Sequence, residues 1–334
     1  MTDMPTFDPS RPLALLKACP IYTPTPLIAA QIQNRQVLIK DESRRMGLGA
    51  FKALGGVYAV ARLIEQAFGA PIVAADFLTE PVRNVAKTLT FICASAGNHG
   101  MAVAAGAALF GARARVHLAA PVPEEFASRL RAKGAEVVRS GETYEASIVV
   151  AIADADQSGG IHLADGSWPG YTQAPQFVME GYTVMAEEMR ATFEASGAWP
   201  SQVYLQAGVG GLAAAIAYMI RQNWQEQPEI IIVEPEAAPC IAQSVAAGKL
   251  VTVSGQVSDM GRLDCKDASM LAFEVLRETA DRFVTISEAQ AHSAVVAAKN
   301  AGFSTTPSGA AGLAVALDET SDRPLVILSE TALA

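Results

Sequence analysis

From about residue 88 the chain alternates short runs rich in β-branched residues, TLTFICAS, ARVHLAA and AEVVR, with Ala-rich segments whose apolar positions recur at helical spacing. That alternation constrains the fold most, because a strand–helix–strand series builds a parallel sheet with helices packed on it. A second series starts near residue 171: a helix through GYTVMAEEMRATF, a strand at SQVYLQA, a helix from Gly211 and a strand at EIIIVE. Two α/β layers are expected, bridged by the less periodic stretch GAPIVAADFLTEPVRN between Arg62 and Lys87. A length of 334 residues suits two domains, or one large α/β unit with an elaboration. No internal repeat or low-complexity tail is visible.

Hydrophobic residues make up 51% of the chain and charged ones 18%, so much of it must be hidden in packed layers or a subunit interface. That composition favours a metabolic enzyme over a signalling surface. With 25 basic against 34 acidic residues and no Lys/Arg run, nothing in the sequence tracks a phosphate backbone, and nucleic acid is not an expected partner. The first residues, MTDMPTFDPSRPLALL, lack the pattern of a secretory signal, and the Ala-rich stretch 100–112 is too short to span a bilayer and carries Gly100, Gly106 and Gly111. A soluble, cytoplasmic protein without a membrane partner is expected. Cys19, Cys93, Cys240 and Cys265 are scattered without CxxC spacing, which predicts neither a disulfide framework nor a metal site, and each is expected to be buried rather than reactive.

Three segments could carry chemistry. Lys52 sits among Leu48, Ala50, Phe51, Ala53 and Leu54, with no charge between Arg45 and Arg62. Desolvation disfavours an ammonium and lowers its pKa, as an imine-forming lysine requires. The alternative is a lysine whose stem crosses the core while its head reaches water. In CASAGNHGMAVAAGAALFG an apolar strand ends at Ala94 and a helix begins near Asn98 after Ser95, Ala96 and Gly97. Such a helix start binds carboxylate or phosphate, although Ser95 and Asn98 could merely cap the helix and His99 merely pack. In QAGVGGLAAAIAYMI a strand is followed by Gly208, Gly210 and Gly211 and then a helix, an arrangement that wraps phosphate in main-chain N–H groups. Gly208, Gly210 and Ala213 also satisfy GxGxxA, with Glu234 closing the next strand, so a dinucleotide site stays open. Two weaker signals are Asp165 near Trp168 and Tyr171 in ADGSWPGY, and Ser329 at the end of VILSE.

Taken in order, KDESRRMGLGAFKALGG, SAGNHG, GYTQAPQFVMEGY, QAGVGGL and ILSE resemble the fold-type-II pyridoxal 5′-phosphate (PLP) enzymes, a group that includes threonine dehydratase, cysteine synthase and the tryptophan synthase β chain. Within it, ESRRMGLGAFKALGG, DGSWPGYTQAPQFVMEGY, LQAGVGG, IIVEPEAAPCI and MGRLDC are most similar to diaminopropionate ammonia-lyases. The resemblance implies an α/β fold of two domains, each an open, mostly parallel sheet flanked by helices. Residues 1–67 and 166–334 would form the large cofactor-binding domain, and 68–165 a small mobile one carrying the Asn98 loop. It implies a homodimer and PLP-dependent β-elimination on a small amino acid, with 2,3-diaminopropionate giving pyruvate and ammonia. The other readings are a serine/threonine or hydroxy-amino-acid dehydratase, a dinucleotide-dependent oxidoreductase using the Gly208 loop, and a non-enzymatic PLP carrier.

Residue by residue, the resemblance makes Lys52 the Schiff-base lysine, beside Phe51, and lets Asn98 hydrogen-bond the ring hydroxyl. Gly208, Val209, Gly210, Gly211 and Leu212 would cradle the phosphate, and Ser329 would face the pyridine nitrogen. Ser95, Ala96, Gly97 and His99 would line the substrate carboxylate pocket, with Tyr171 also touching substrate. Asp165 would be the catalytic acid or ammonium anchor. The chain departs from the pattern where Ala96 replaces an acid before GNHG, and where Thr306 and Pro307 stand in place of an acid before the SGA segment.

Overall fold

The structure, a computed structural model, describes residues 4–332. Its helices are α1 (Ser10–Lys17), α2 (Lys52–Phe68), α3 (Glu80–Ala86), α4 (Asn98–Phe110), α5 (Glu124–Ala132), α6 (Tyr144–Ser158), α7 (Gln173–Ser196), α8 (Gly211–Asn223), α9 (Cys240–Ala247), α10 (Met270–Thr279), α11 (Glu288–Asn300) and α12 (Ala311–Asp318). The strands are β1 (Leu27–Ile32), β2 (Arg35–Asp41), β3 (Thr90–Ala94), β4 (Arg113–Leu118), β5 (Glu136–Arg139), β6 (Ile161–His162), β7 (Gln202–Gln206), β8 (Glu229–Pro235), β9 (Arg282–Ile286) and β10 (Pro324–Leu328).

They form a six-stranded sheet in the order β1-β2-β10-β7-β8-β9 and a four-stranded sheet in the order β5-β4-β3-β6. Every pairing is parallel except β1 with β2, a hairpin that runs Leu27 opposite Lys40 through Ile32 opposite Arg35. Helices cover both faces of the larger sheet. Along β8, Ile230 and Ile232 enter one core cluster while Ile231 and Val233 enter the other, which is why EIIIVE reads as an unbroken apolar run.

The stretch between Arg62 and Lys87 is more ordered than its sequence suggests, with a 3-10 turn at Ala74–Asp76 and then α3. Helix α7 begins at Gln173, ahead of the segment whose periodicity announces it. Helix α2 is wedged between α7 and α4 by glycine contacts: a Cβ on Gly55 would lie 2.5 Å from the Val178 carbonyl, and one on Gly181 would lie 2.7 Å from the Gly55 Cα. Only hydrogen fits at that crossing.

Ahead of α2 lies a buried charge network. Arg45, fully enclosed at 0% exposure, donates to Glu42 through Nε (2.7 Å) and Nη2 (2.7 Å) and to Glu188 through Nη1 (2.8 Å) and Nη2 (2.8 Å). Lys40 Nζ, also buried, donates to Glu188 at 2.5 Å and to the Thr25 carbonyl at 2.7 Å. Two cations and two anions balance. They tie the segment leading to Lys52 onto α7.

Candidate active site

The segments singled out from sequence leave the C-terminal ends of neighbouring parallel strands. The Lys52 segment follows β2, Ser329 and Glu330 follow β10, the glycine loop follows β7, and the Ser95–His99 loop follows β3 in the other sheet. Loops at the carboxyl ends of parallel strands build ligand crevices, and here they enclose a cavity of about 470 Å³. Phe51, Lys52, Ser95, Ala96, Gly97, Asn98, His99, Asp165, the 208–212 loop and Ser329 all line it.

Lys52 opens α2, and its Nζ hydrogen-bonds Asp165 Oδ2; each side chain is 21% exposed. Burial lowers the basicity of Lys52, as its apolar neighbours suggest, but the Asp165 charge and hydrogen bond, together with the Tyr182 and Cys265 groups, outweigh it and hold the ammonium above its ordinary range. The expectation of a depressed lysine is corrected on that point. Burial likewise pushes the Asp165 carboxyl up, yet the Lys52 charge and hydrogen bond hold it well below the usual carboxylate range. Tyr182 Oη is buried without a hydrogen-bond partner among the described residues, its ring centroid 5.8 Å from Lys52 Nζ, and Phe51 packs edge-on to that ring at 4.9 Å.

His99 Nε2 lies 2.8 Å from the Leu163 carbonyl, which can only accept, so Nε2 carries the hydrogen and Nδ1 is left without a partner among the described residues. Burial keeps the ring neutral by lowering its pKa. The glycine loop reaches α8 through Gly210, at φ 95°, where a Cβ would meet Ile241 Cδ1 at 2.8 Å. Its N–H groups stand at the start of a helix and have no intrahelical partner.

Glu234, the residue a dinucleotide site would need, does not line the cavity. It accepts from Ile241 N and Ala242 N, both at 2.8 Å, and so caps α9. Burial pushes its carboxyl up to about 7, against these two bonds. A folded-state pKa above the ordinary 4.5 favours the folded protein at low pH, and this contribution is lost as pH rises through about 7. Between about pH 5 and about pH 8 the wild type should therefore lose on the order of 2 kcal/mol more stability than Glu234→Gln, read from paired melting curves.

The family described as pyridoxal-phosphate dependent enzyme matches residues 19–329. The chain belongs to that family. Diaminopropionate ammonia-lyase of Escherichia coli strain K12 is 34% identical over 278 residues, 81% of this chain and 69% of its own length. The crystal structure of the holo form of the Escherichia coli enzyme matches with a TM-score of 0.86 at 28% identity, covering 97% of this chain and 88% of that one. A probable D-serine dehydratase of Burkholderia thailandensis is 27% identical over 326 residues, 91% of this chain and 72% of its own.

The cavity of this PLP enzyme fits the cofactor on structural grounds. It offers a partly enclosed lysine, the glycine-lined N-terminus of a helix, and at Ser329 a hydroxyl on the wall. Tyr171 is not on the cavity wall. Its hydroxyl accepts from Ala164 N at 3.0 Å and donates to the His162 carbonyl at 2.9 Å, and its ring stacks on Trp168 at 4.3 Å, so it clips the loop that carries Asp165.

Several wall residues are not singled out individually by the sequence. Tyr144 and Glu145, from the start of α6, line the cavity, as do Arg262, Cys265 and Glu330. Cys265, like Cys19 elsewhere, is only half-buried and departs from the expectation of an interior cysteine, although burial pushes the Cys265 thiol up to about 12 and keeps it protonated. MGRLDC and ILSE pointed to their neighbourhoods, but a charged residue in a loop has no periodicity to betray which way it faces.

Proposed function

We propose that this enzyme removes the β-amino group of 2,3-diaminopropionate by β-elimination, giving pyruvate and ammonia. The observation that carries the reading is Asp165, kept ionised beside Lys52 on the cavity wall. A carboxylate in this state suits a substrate side chain that is itself an ammonium. The leaving nitrogen then departs as ammonia with a proton it already holds, whereas expulsion of a hydroxyl as water needs a donor that an ionised Asp165 is not. The relatives named diaminopropionate ammonia-lyase support the same choice.

Bound PLP supplies the sink for the electron pair left at the substrate Cα. Lys52, in its neutral amine form and no longer paired with Asp165, would take the Cα proton as a general base, and Asp165 would pair instead with the side-chain ammonium of the substrate. Ser95, Gly97 and the N-terminus of α4 bind the substrate carboxylate, with neutral His99 packed behind them. Asn98 would donate to the ring hydroxyl, the 208–212 loop would hold the phosphate, and Ser329 would meet the pyridine nitrogen. The Cβ–N bond breaks as the Cα–H bond does, and the released enamine hydrolyses to pyruvate and a second ammonia. Residues 68–165, which contribute all four strands of the smaller sheet, would move as one body to exclude water from this step.

The second reading, dehydration of D-serine or another hydroxy-amino acid, is favoured by Ala96, which removes one carboxylate from the wall, and by the D-serine dehydratase relative. Release of 2-oxo acid from L- and D-diaminopropionate, L- and D-serine and threonine separates the two. Diaminopropionate should be preferred in kcat/KM by at least about 10-fold, the discrimination one lost charge contact supplies; serine outpacing it would overturn the proposal. Asp165→Asn is expected to cut kcat/KM for diaminopropionate by about 10²-fold and that for serine by less.

A further inference from the structure

Glu330 is a buried acid on the cavity wall that the elimination leaves unused: it is 3% exposed and sits just beyond β10. Its carboxylate gathers donors from three distant segments. Thr306 Oγ1 donates to Oε1 at 2.5 Å, Arg262 Nε lies 3.0 Å from Oε2, and Asn98 Nδ2 donates to Oε2. Thr306 belongs to the pair of residues standing where related sequences show an acid, so the structure brings a carboxylate to that spot from the end of the chain instead. Burial raises the Glu330 carboxyl, and Arg262 is the first of the groups that oppose it, with Thr306, Asn98 and Lys52 after it. Arg262 is itself fixed by its backbone N–H, which donates to Ser308 Oγ at 3.1 Å.

A carboxamide nitrogen carries two hydrogens. With one given to Glu330, the rotation of the Asn98 amide is set and the direction of the other follows. We infer that Glu330 is a positioning residue for the cofactor: by holding one N–H of Asn98, it turns the second toward the ring hydroxyl of bound PLP. The inference rests on the proposal that Asn98 donates to that hydroxyl. Glutamine at 330 cannot substitute, because three donors converge on two oxygens and an amide offers acceptance on one side only.

The test is a double-mutant cycle on PLP affinity, measured by titrating the apoprotein with PLP and following the visible absorption band, with the pH dependence of that band as a second readout. Asn98→Ala should raise Kd by about 10-fold, and Glu330→Gln should do likewise and shift the pH midpoint of the band. In the Asn98→Ala background, Glu330→Gln should add less than about twofold. Thr306→Val, expected to raise Kd by about threefold with the same non-additivity, carries the test if Glu330→Gln gives an apoprotein that does not fold. An Asn98→Ala protein with unchanged Kd would overturn the Asn98 role on which the inference stands. A weakened Asn98→Ala protein in which the Glu330→Gln or Thr306→Val effect is undiminished would overturn the positioning role alone.

Discussion

Lys52→Ala is expected to yield a folded protein that holds no borohydride-reducible PLP and whose turnover falls by at least about 10⁴-fold, the combined loss of a covalent anchor and a general base. No second lysine lines the cavity to replace it among the described residues. Folding should survive, because alanine is a better helix former than lysine at the start of α2 and the lost side chain is only partly enclosed. The change also leaves Asp165 without its counter-charge. Burial then acts unopposed by Lys52, and the carboxyl should titrate higher than in the wild type. The measurement is borohydride treatment of the PLP-loaded protein followed by intact mass and peptide mapping, alongside pyruvate release. A reduced adduct that persists on another lysine in Lys52→Ala would refute the assignment.

That lysine also marks the boundary of what the sequence carries. The strands were legible because each runs between two covered faces, so β3, β7 and β8 read as short apolar runs, and the helix starts at Asn98 and Gly211 were legible because tight turns need small residues in a fixed local order. Both signals lie within a few residues of the feature they announce. The electrostatic state of Lys52 does not. Its apolar neighbours argued for a weak base, and the carboxylate that reverses the argument lies 113 positions away. Glu330 reaches Asn98 across 232 positions, and nothing local distinguishes it from any acid after a strand. Tyr171 shows the opposite case: it is near Asp165 in sequence, but its hydroxyl is engaged by two backbone groups and not by Asp165. The hairpin of β1 and β2 has no such local signal, since it stands outside the strand–helix alternation.

The same limit hid the buried network around Arg45, and its removal is the largest stability change expected here. Arg45→Ala should destabilise the fold by about 3–5 kcal/mol, because it leaves Glu42 and Glu188 buried with one cation, Lys40, between them. The cost comes from stranding charge, not from losing attraction alone. Glu188 is held below its ordinary range, burial being outweighed by hydrogen bonding to Arg45, then by the Arg45 and Lys40 charges. A depressed carboxyl contributes stability above its unfolded pKa, near 4.5, and loses it as pH falls toward the lower folded value. Removing Arg45 takes away the principal source of that depression, so Arg45→Ala should lose less additional stability than the wild type when the pH is lowered through this window. Urea unfolding at neutral pH and at about pH 4 reads both effects. Arg45→Met with Glu42→Leu tests the mechanism further, since it removes the stranded carboxylate, leaves the Lys40–Glu188 pair intact and should recover most of the loss. If that double variant is no more stable than Arg45→Ala, the defect lies in packing ahead of α2 and not in unpaired charge.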